Sequence, residues 1–146
     1  MGSLSDNLLD NGGFESSGAW TTVSGTASIV DASDAAWVAP YEGARMLRME
    51  QNAVMQSAPI SVVGRTTAWV ELANNSYDSS RSVTVSAVFD GDDPVVLGTV
   101  SSGGQKWVVD RFDVPVPAGA STMAVLLRAN VSAVRVDDVR GGSSWL

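Results

Sequence analysis

Apolar and polar side chains alternate with a period of two along this chain, and no stretch shows the 3.6-residue period of an amphipathic helix. The clearest run is 82–90, in which every second residue is apolar: Val83, Val85, Ala87 and Phe89. Because successive strand residues point to opposite faces, this pattern predicts short strands with one buried face each. A second run, 66–73, has the same pattern and places Trp69 on the face opposite the apolar residues.

Clusters of Gly, Pro, Asn, Asp and Ser separate these runs, as turns between strands require. The chain has 146 residues, which is enough for one domain with its own hydrophobic core. About nine or ten strands of ordinary length suit two packed sheets. We therefore predict a single all-β domain over residues 1–146, a jelly-roll β-sandwich of two antiparallel sheets.

Strand boundaries follow from the same pattern. One strand is predicted from Thr22 to Val30, and another from Ala53 to Ile60. In the closing strand, 132–139, two valines share a face and Val139 has the opposite parity, so either a bulge or a strand end is expected at 137–138. The tail, 141–146, is predicted to be flexible from its Gly and Ser content, although it ends in Trp145 and Leu146.

Composition excludes several functions. The chain has neither Cys nor His, so it lacks thiol chemistry, the commonest general base and the commonest transition-metal ligand. No Gly-x-Ser-x-Gly motif occurs, and the acidic cluster at 90–93 lies in a Gly/Pro turn, where solvated carboxylates are expected. We predict that the protein is not an enzyme. The net charge of −7 and the absence of a bilayer-length apolar stretch also predict that neither nucleic acid nor a membrane is a partner.

The most distinctive motifs lie at the two ends of the chain. Residues 7–15 read Asn-Leu-Leu-Asp-Asn-Gly-Gly-Phe-Glu, Trp20 follows, and residues 134–139 read Val-Arg-Val-Asp-Asp-Val. Together they resemble the calcium-binding β-sandwich class of carbohydrate-binding modules that are attached to xylanases and cellulases. The resemblance spans nearly the whole chain. It implies that the opening and closing segments are neighbours, with Phe14 close to Val136.

The resemblance also implies a structural Ca²⁺ that ties the first segment to the last strand. Its side-chain ligands would be Glu15 and Asp137, and backbone carbonyls near Gly13 and Gly43 would complete the shell. Calcium takes six to eight oxygen ligands and accepts this mixture of carboxylates and carbonyls. The alternative is that both carboxylates accept hydrogen bonds from backbone amides or pair with an Arg. Asp138 is expected to serve the turn or a salt bridge.

Aromatic side chains provide the candidate ligand contacts, since rings stack on the apolar faces of sugars and bury much area at low entropic cost. Trp20 and Trp107 match structural aromatics of the resembling modules and are predicted to lie in the core. Trp69 could form a ligand platform, belong to a contact surface or pack under a loop. The predicted ligand-binding residues are Trp37, Tyr41, Trp69 and Tyr77.

Two functional hypotheses remain, and both describe a binding module without catalysis. The first is a bacteriophage virion component, either a capsid decoration or a minor tail protein, whose partners are other virion subunits and glycans. No export-signal pattern, linker or second domain is recognisable, which favours this hypothesis and a location in the virion. The second is a carbohydrate-binding module excised from a secreted glycoside hydrolase, which would be extracellular.

Overall fold

The computed structural model describes residues 7–33 and 39–144, and within these ranges it consists of β-strands and connecting turns. The strands are β1 (Trp20–Ser24), β2 (Ala27–Asp31), β3 (Arg45–Met49), β4 (Val54–Ser57), β5 (Ile60–Ser61), β6 (Thr67–Asn75), β7 (Val83–Phe89), β8 (Val95–Val100), β9 (Val108–Pro115), β10 (Thr122–Ala129) and β11 (Val134–Ser144). No helix capable of crossing a membrane occurs in the described ranges. The prediction of an all-β fold is confirmed.

The strands form two sheets, and every strand pair is antiparallel. The six-stranded sheet has the order β1-β4-β10-β7-β8, and β5 pairs with β10 as an extra strand. The five-stranded sheet has the order β2-β3-β11-β6-β9. The closing strand β11 thus lies at the centre of its sheet, between β3 and β6. This arrangement confirms the predicted two-sheet organisation.

The core lies between the two sheets and is filled by alternate residues of the facing strands. The inward residues of β7 are all buried, as the alternation predicted: Val83, Val85, Ala87 and Phe89. The five-stranded sheet contributes Leu47, Met49, Ala68, Val70, Leu72, Val134 and Val136. Complete burial of a large aliphatic side chain contributes about 1.5–3 kcal/mol, so this interior is the main source of stability.

Two predicted strands are each divided in the structure. The prediction of one strand from Thr22 to Val30 is wrong, because β1 and β2 belong to different sheets. Gly25 turns the chain between them with a φ of 74°, and a Cβ at this position would lie 2.7 Å from Ala53 Cα. The predicted strand from Ala53 to Ile60 is also wrong. It divides into β4 and β5 on either side of Pro59, which has no backbone N–H to donate.

Of the two alternatives expected at residues 137–138, a bulge or a strand end, the structure shows the bulge, because β11 continues to Ser144. The register between β11 and β6 shifts between Asp137 and Arg140, and Asp138 has a φ of 47°. The extra residue changes the parity of the strand, so Val139 is buried in the same core cluster as Val136. The bulge therefore allows one strand to keep its apolar face inward on both sides of the acidic pair.

The opening segment, residues 7–14, runs beside β11. β3 pairs with β11 only from Val134 to Val136, and beyond the bulge the opening segment takes over the same edge. Leu8 N donates to Gly141 O at 2.8 Å, and Val139 N donates to Gly12 O at 2.9 Å. Phe14 and Val136 are members of the same core cluster. The predicted meeting of the two ends is thus confirmed.

The prediction of a flexible tail is wrong for its first four residues. Gly141 to Ser144 continue β11 and pair with Val70 to Thr67 of β6. Pairing along a long central strand overrides the low strand propensity of Gly and Ser. Trp145 and Leu146 lie outside the described residues.

Candidate ligand-binding face and cation site

One face of the five-stranded sheet packs on the core, and the opposite face, called here the outer face, carries the remaining alternate residues of β3, β11, β6 and β9. The 39–44 loop crosses part of the outer face. At one point Glu42 N donates to Asp137 Oδ2 of β11 at 3.0 Å. At another, Trp107 Nε1, next to the start of β9, donates to Ala39 O at 2.8 Å. The loop is thereby held above the sheet at two separate places.

An aromatic pair stands where this loop meets β9. The rings of Tyr41 and Trp107 are 5.8 Å apart between centroids and inclined at 59°. Tyr41 is 44% exposed, whereas Trp107 is half-buried against Val30 and Met46. This small hydrophobic cluster is separate from the main core, so the prediction that Trp107 packs in a hydrophobic core holds for this second cluster and not for the main one. Trp20, in contrast, packs against the main core as predicted.

Trp69 points to the outer face, as the alternation in β6 predicted, but it is only 9% exposed. The guanidinium carbon of Arg111, on the neighbouring strand β9, lies 4.6 Å from the centre of the Trp69 ring. Arg111 also contacts Asp113 at 3.4 Å. A cation stacked on an aromatic ring is an attractive arrangement, so Arg111 covers Trp69 stably. The register between β6 and β9 brings the two residues together, and sequence analysis did not identify Arg111.

The other two predicted aromatic residues lie elsewhere. Tyr77 lies in the loop after β6 with a φ of 71°, and the guanidinium carbon of Arg81 is 4.8 Å from its ring centre. Arg81 in turn donates to Ala133 O at 3.1 Å, so Tyr77 takes part in packing between loops. Trp37 lies outside the described residues. Among the predicted aromatics that the structure describes, Tyr41 is the one that is exposed to solvent beside a second ring.

Glu15 is held by the turn that precedes β3. Its Oε1 accepts from Ala44 N at 3.0 Å, and its Oε2 accepts from Arg45 N at 3.1 Å. Gly43 makes this approach possible, because a Cβ there would lie 2.6 Å from Glu15 Oε2. The φ of Gly43 is 68°, which favours glycine as well. Local backbone geometry therefore forms a cradle for the Glu15 carboxylate.

Asp137 is the second member of the predicted carboxylate pair, and its side chain is completely buried. Besides Glu42 N, it accepts a hydrogen bond from Asp138 N at 2.8 Å. The amide bonds foreseen in the alternative interpretation are therefore present for both carboxylates. Each carboxylate oxygen has a further lone pair, so these bonds do not exclude a cation.

Electrostatics at Asp137 are unfavourable for an uncompensated charge. The pKa of Asp137 is raised to about 6, mainly by burial and in smaller part by the nearby charges of Glu15 and Asp138, while the two amide bonds oppose the shift. Arg140 is engaged by Asp138 at 3.0 Å and by Glu42 at 3.8 Å. In the described ranges no three acidic side chains assemble into one metal-binding group, so a cation here would need backbone or water oxygens as well.

No protein-family model matches the chain, and no curated protein matches it either. Solved structures do match over nearly the full length. The TmCBM61 module in complex with β-1,4-galactotriose has 14% identity and a TM-score of 0.66, covering 96% of this chain and 100% of that one. The xylan-binding domain of carbohydrate-binding module family 22 has 15% identity and a TM-score of 0.67, covering 97% of each chain. These similarities confirm the jelly-roll sandwich.

A third similar structure comes from a bacteriophage. The enzymatically active domain of tailspike protein 4 from bacteriophage CBA120 has 15% identity and a TM-score of 0.67. The match covers 94% of this chain but only 21% of the tailspike chain. The same sandwich therefore occurs both as a separate module and as one part of a larger viral protein.

Proposed function

We propose that this protein is a non-catalytic carbohydrate-binding module whose ligand lies along the outer face of the five-stranded sheet, between the 39–44 loop and β9. The observation that carries the proposal is the Tyr41–Trp107 pair, an exposed ring supported by a second ring at the sheet surface. Supported rings of this kind stack on the apolar faces of sugars with little loss of side-chain entropy. Related sandwiches that bind a galactotriose and xylan support the same choice of ligand class.

The outward residues of β9 extend this surface. After Trp107 come Val109, Arg111 and Asp113 at alternate positions, and they combine apolar contact with donors and an acceptor. The seven residues from Trp107 to Asp113 span roughly 20 Å in extended conformation, enough for several sugar units in a row. Polar groups that fix orientation, set among apolar contacts, are typical of ligand sites.

The six-stranded sheet is a poorer candidate. Its outer face carries Thr84, Ser86, Leu126 and Arg128, which alternate with the core residues of β7 and β10. None of the described residues on that face is aromatic. A glycan would therefore find no ring to stack on there.

We also propose that Ca²⁺ binds between Glu15 and Asp137, with carbonyl oxygens near Gly13 and Gly43 as further ligands. Two observations support the proposal: the Gly43 cradle, which places a carboxylate against the backbone, and the burial of Asp137 beside a second acid. A bound ion would neutralise this pair and fasten the opening segment to β11. Its contribution would be structural, through stabilisation of the folded state.

A second candidate function is that of a virion component, either a capsid decoration or a minor tail protein, located in the phage particle. The similarity to the tailspike domain favours it, because that domain uses the same sandwich within a viral protein. Binding to a host glycan and assembly with virion subunits are compatible functions of one module. The alternative to the virion component is a module of a secreted glycoside hydrolase, which would be extracellular.

Replacement of Tyr41 by Ala is expected to lower glycan affinity at least about tenfold, because the exposed ring supplies the stacking area. Isothermal titration calorimetry against xylo- and galacto-oligosaccharides would measure the change. Val96→Ala is the matched control, since Val96 is an exposed residue of the other sheet, and its affinity should equal that of the unaltered protein. Equal losses in both variants, or no binding by the unaltered protein to any glycan tested, would contradict the proposal.

A further inference from the structure

The loop that carries Tyr41 is fixed to the sandwich on both sides of this residue. Before it, Ala39 O accepts the hydrogen bond from Trp107 Nε1 at 2.8 Å. After it, the adjoining residue, Glu42, donates its backbone N–H to Asp137 Oδ2 at 3.0 Å. The exposed ring of Tyr41 therefore stands on a short stretch of backbone between two fixed points.

Asp137 is a strong anchor for this stretch. Its side chain is completely buried, and hydrogen bonds to a carboxylate are roughly twice as strong as those between neutral groups. Its second oxygen accepts from Asp138 N at 2.8 Å, at the bulge where β11 and β6 shift register. Because each oxygen has its own amide partner, the carboxylate keeps one orientation toward Glu42.

Glu15 fixes the end of the same loop. Its two oxygens accept from the successive amides of Ala44 and Arg45, at 3.0 and 3.1 Å. These residues lead directly into β3, which pairs with both β2 and β11. Glu15 belongs to the opening segment and Asp137 to the central strand of the sheet, so two elements that are remote in sequence converge on one short loop.

We propose that Asp137 and Glu15 are positioning residues for glycan binding, which hold Tyr41 over Trp107 through the backbone of the intervening loop. The inference rests on the proposed glycan-binding function of this loop and adds two residues that act without touching the ligand. A loop that becomes ordered only on binding loses conformational entropy at that moment, and a loop held in place beforehand avoids this loss. The two carboxylates thus increase the affinity of a surface to which neither belongs.

A double-mutant cycle with Tyr41 tests this inference. The probes are xylohexaose and β-1,4-galactotriose, and NMR titration in a single calcium-containing buffer gives the affinities, including weak ones. Asp137→Asn and Glu15→Gln each place an NH2 group against a backbone N–H in place of one acceptor oxygen. Each is expected to lower affinity about fivefold. In the Tyr41→Ala protein the same two substitutions should cause no further loss, because the ring that they position is gone.

Asp92→Asn is the matched control for charge. Asp92 is an exposed acid in the turn between β7 and β8, and its replacement changes the net charge equally. Affinity should stay at the value of the parent protein, with and without the Tyr41 ring. The indole N–H signal of Trp20 reports whether each variant keeps its core. Glu15 is exposed, so Glu15→Gln preserves the test if the buried Asp137→Asn substitution prevents folding.

The outcomes separate this inference from the proposed function. Equal losses in the presence and absence of the Tyr41 ring would overturn the positioning role, because the carboxylates would then act independently of Tyr41. Unchanged affinity in the folded Glu15→Gln and Asp137→Asn proteins would overturn it as well. In both cases the proposed function stands. Absence of binding of either probe to the unaltered protein would overturn both.

Discussion

Gly12→Ala is expected to destabilise the protein by about 3 kcal/mol, at the upper end of the effects of overpacking. A Cβ on residue 12 would lie 1.8 Å from Val139 O, a backbone atom of a central strand that has no free direction in which to move. The substitution would push the opening segment away from β11 and break the bond from Val139 N to Gly12 O. Urea denaturation followed by tryptophan fluorescence would measure the change.

Gly13→Ala is the matched control for this prediction. The new Cβ would lie 3.8 Å from Glu15 Cγ, an ordinary van der Waals contact, and the φ of Gly13 is not in the left-handed region. Stability should stay the same or rise slightly, because Ala restricts the unfolded chain more than Gly does. Equal losses from the two neighbouring substitutions would mean that the opening segment is not packed against β11 as described.

The second large effect concerns Asp137 and has a characteristic dependence on pH. In chelator, the protein should become more stable as the pH falls from 7 toward 5. The folded pKa of Asp137 is about 6 and exceeds the unfolded value of about 3.9, so the folded state holds the proton more tightly. Stability linked to this proton is fully present below about 3.9 and is lost as the pH rises through 6. The total amounts to about 2–3 kcal/mol.

Calcium should reverse that loss at neutral pH. If the ion binds at this carboxylate pair, a concentration 100 times its Kd adds about 2.7 kcal/mol to the free energy of unfolding. Asp137→Asn should remove both the calcium response and the rise in stability between pH 7 and 5. Asp113→Asn, which alters an exposed acid of β9, should keep both. Thermal melts with calcium and with chelator would show the difference. Identical melting curves of the unaltered protein under the two conditions would contradict the proposed calcium site.

Strand periodicity predicted most of the fold because burial on one face imposes a period of two wherever a sheet covers a core. The parity of Val139 located an irregularity at residues 137–138, and the structure shows that it is a bulge. Breaks between strands were less predictable. The 22–30 run alternates on both sides of Gly25, and only the contact of that glycine with Ala53, which is distant in sequence, shows why the chain changes sheets there.

The candidate site was harder to predict from the sequence, because the register between neighbouring strands is what brings its residues together. Arg111 covers Trp69, and Arg48 lies opposite Arg135, only because β9, β6, β11 and β3 are aligned in one particular way. Isolated charges in strands are usually solvated, so the near-complete burial of Arg135 could not be anticipated. The acidic pair was found through motifs at the two ends of the chain, whereas its amide partners come from the turn before β3.

The most direct test of the account is a map of glycan contacts on the ¹⁵N-labelled protein, recorded by NMR during titration with xylo-oligosaccharides. Two indole N–H signals serve as probes. Trp107 should shift strongly because its ring lies next to that of Tyr41 and its Nε1 donates to Ala39 O. Trp20, which donates to Asn11 O beside the core, should remain unchanged. The shifted amides should belong to the 39–44 loop and β9. Shifts confined to β7 and β10, or no shifts at saturating glycan, would contradict it.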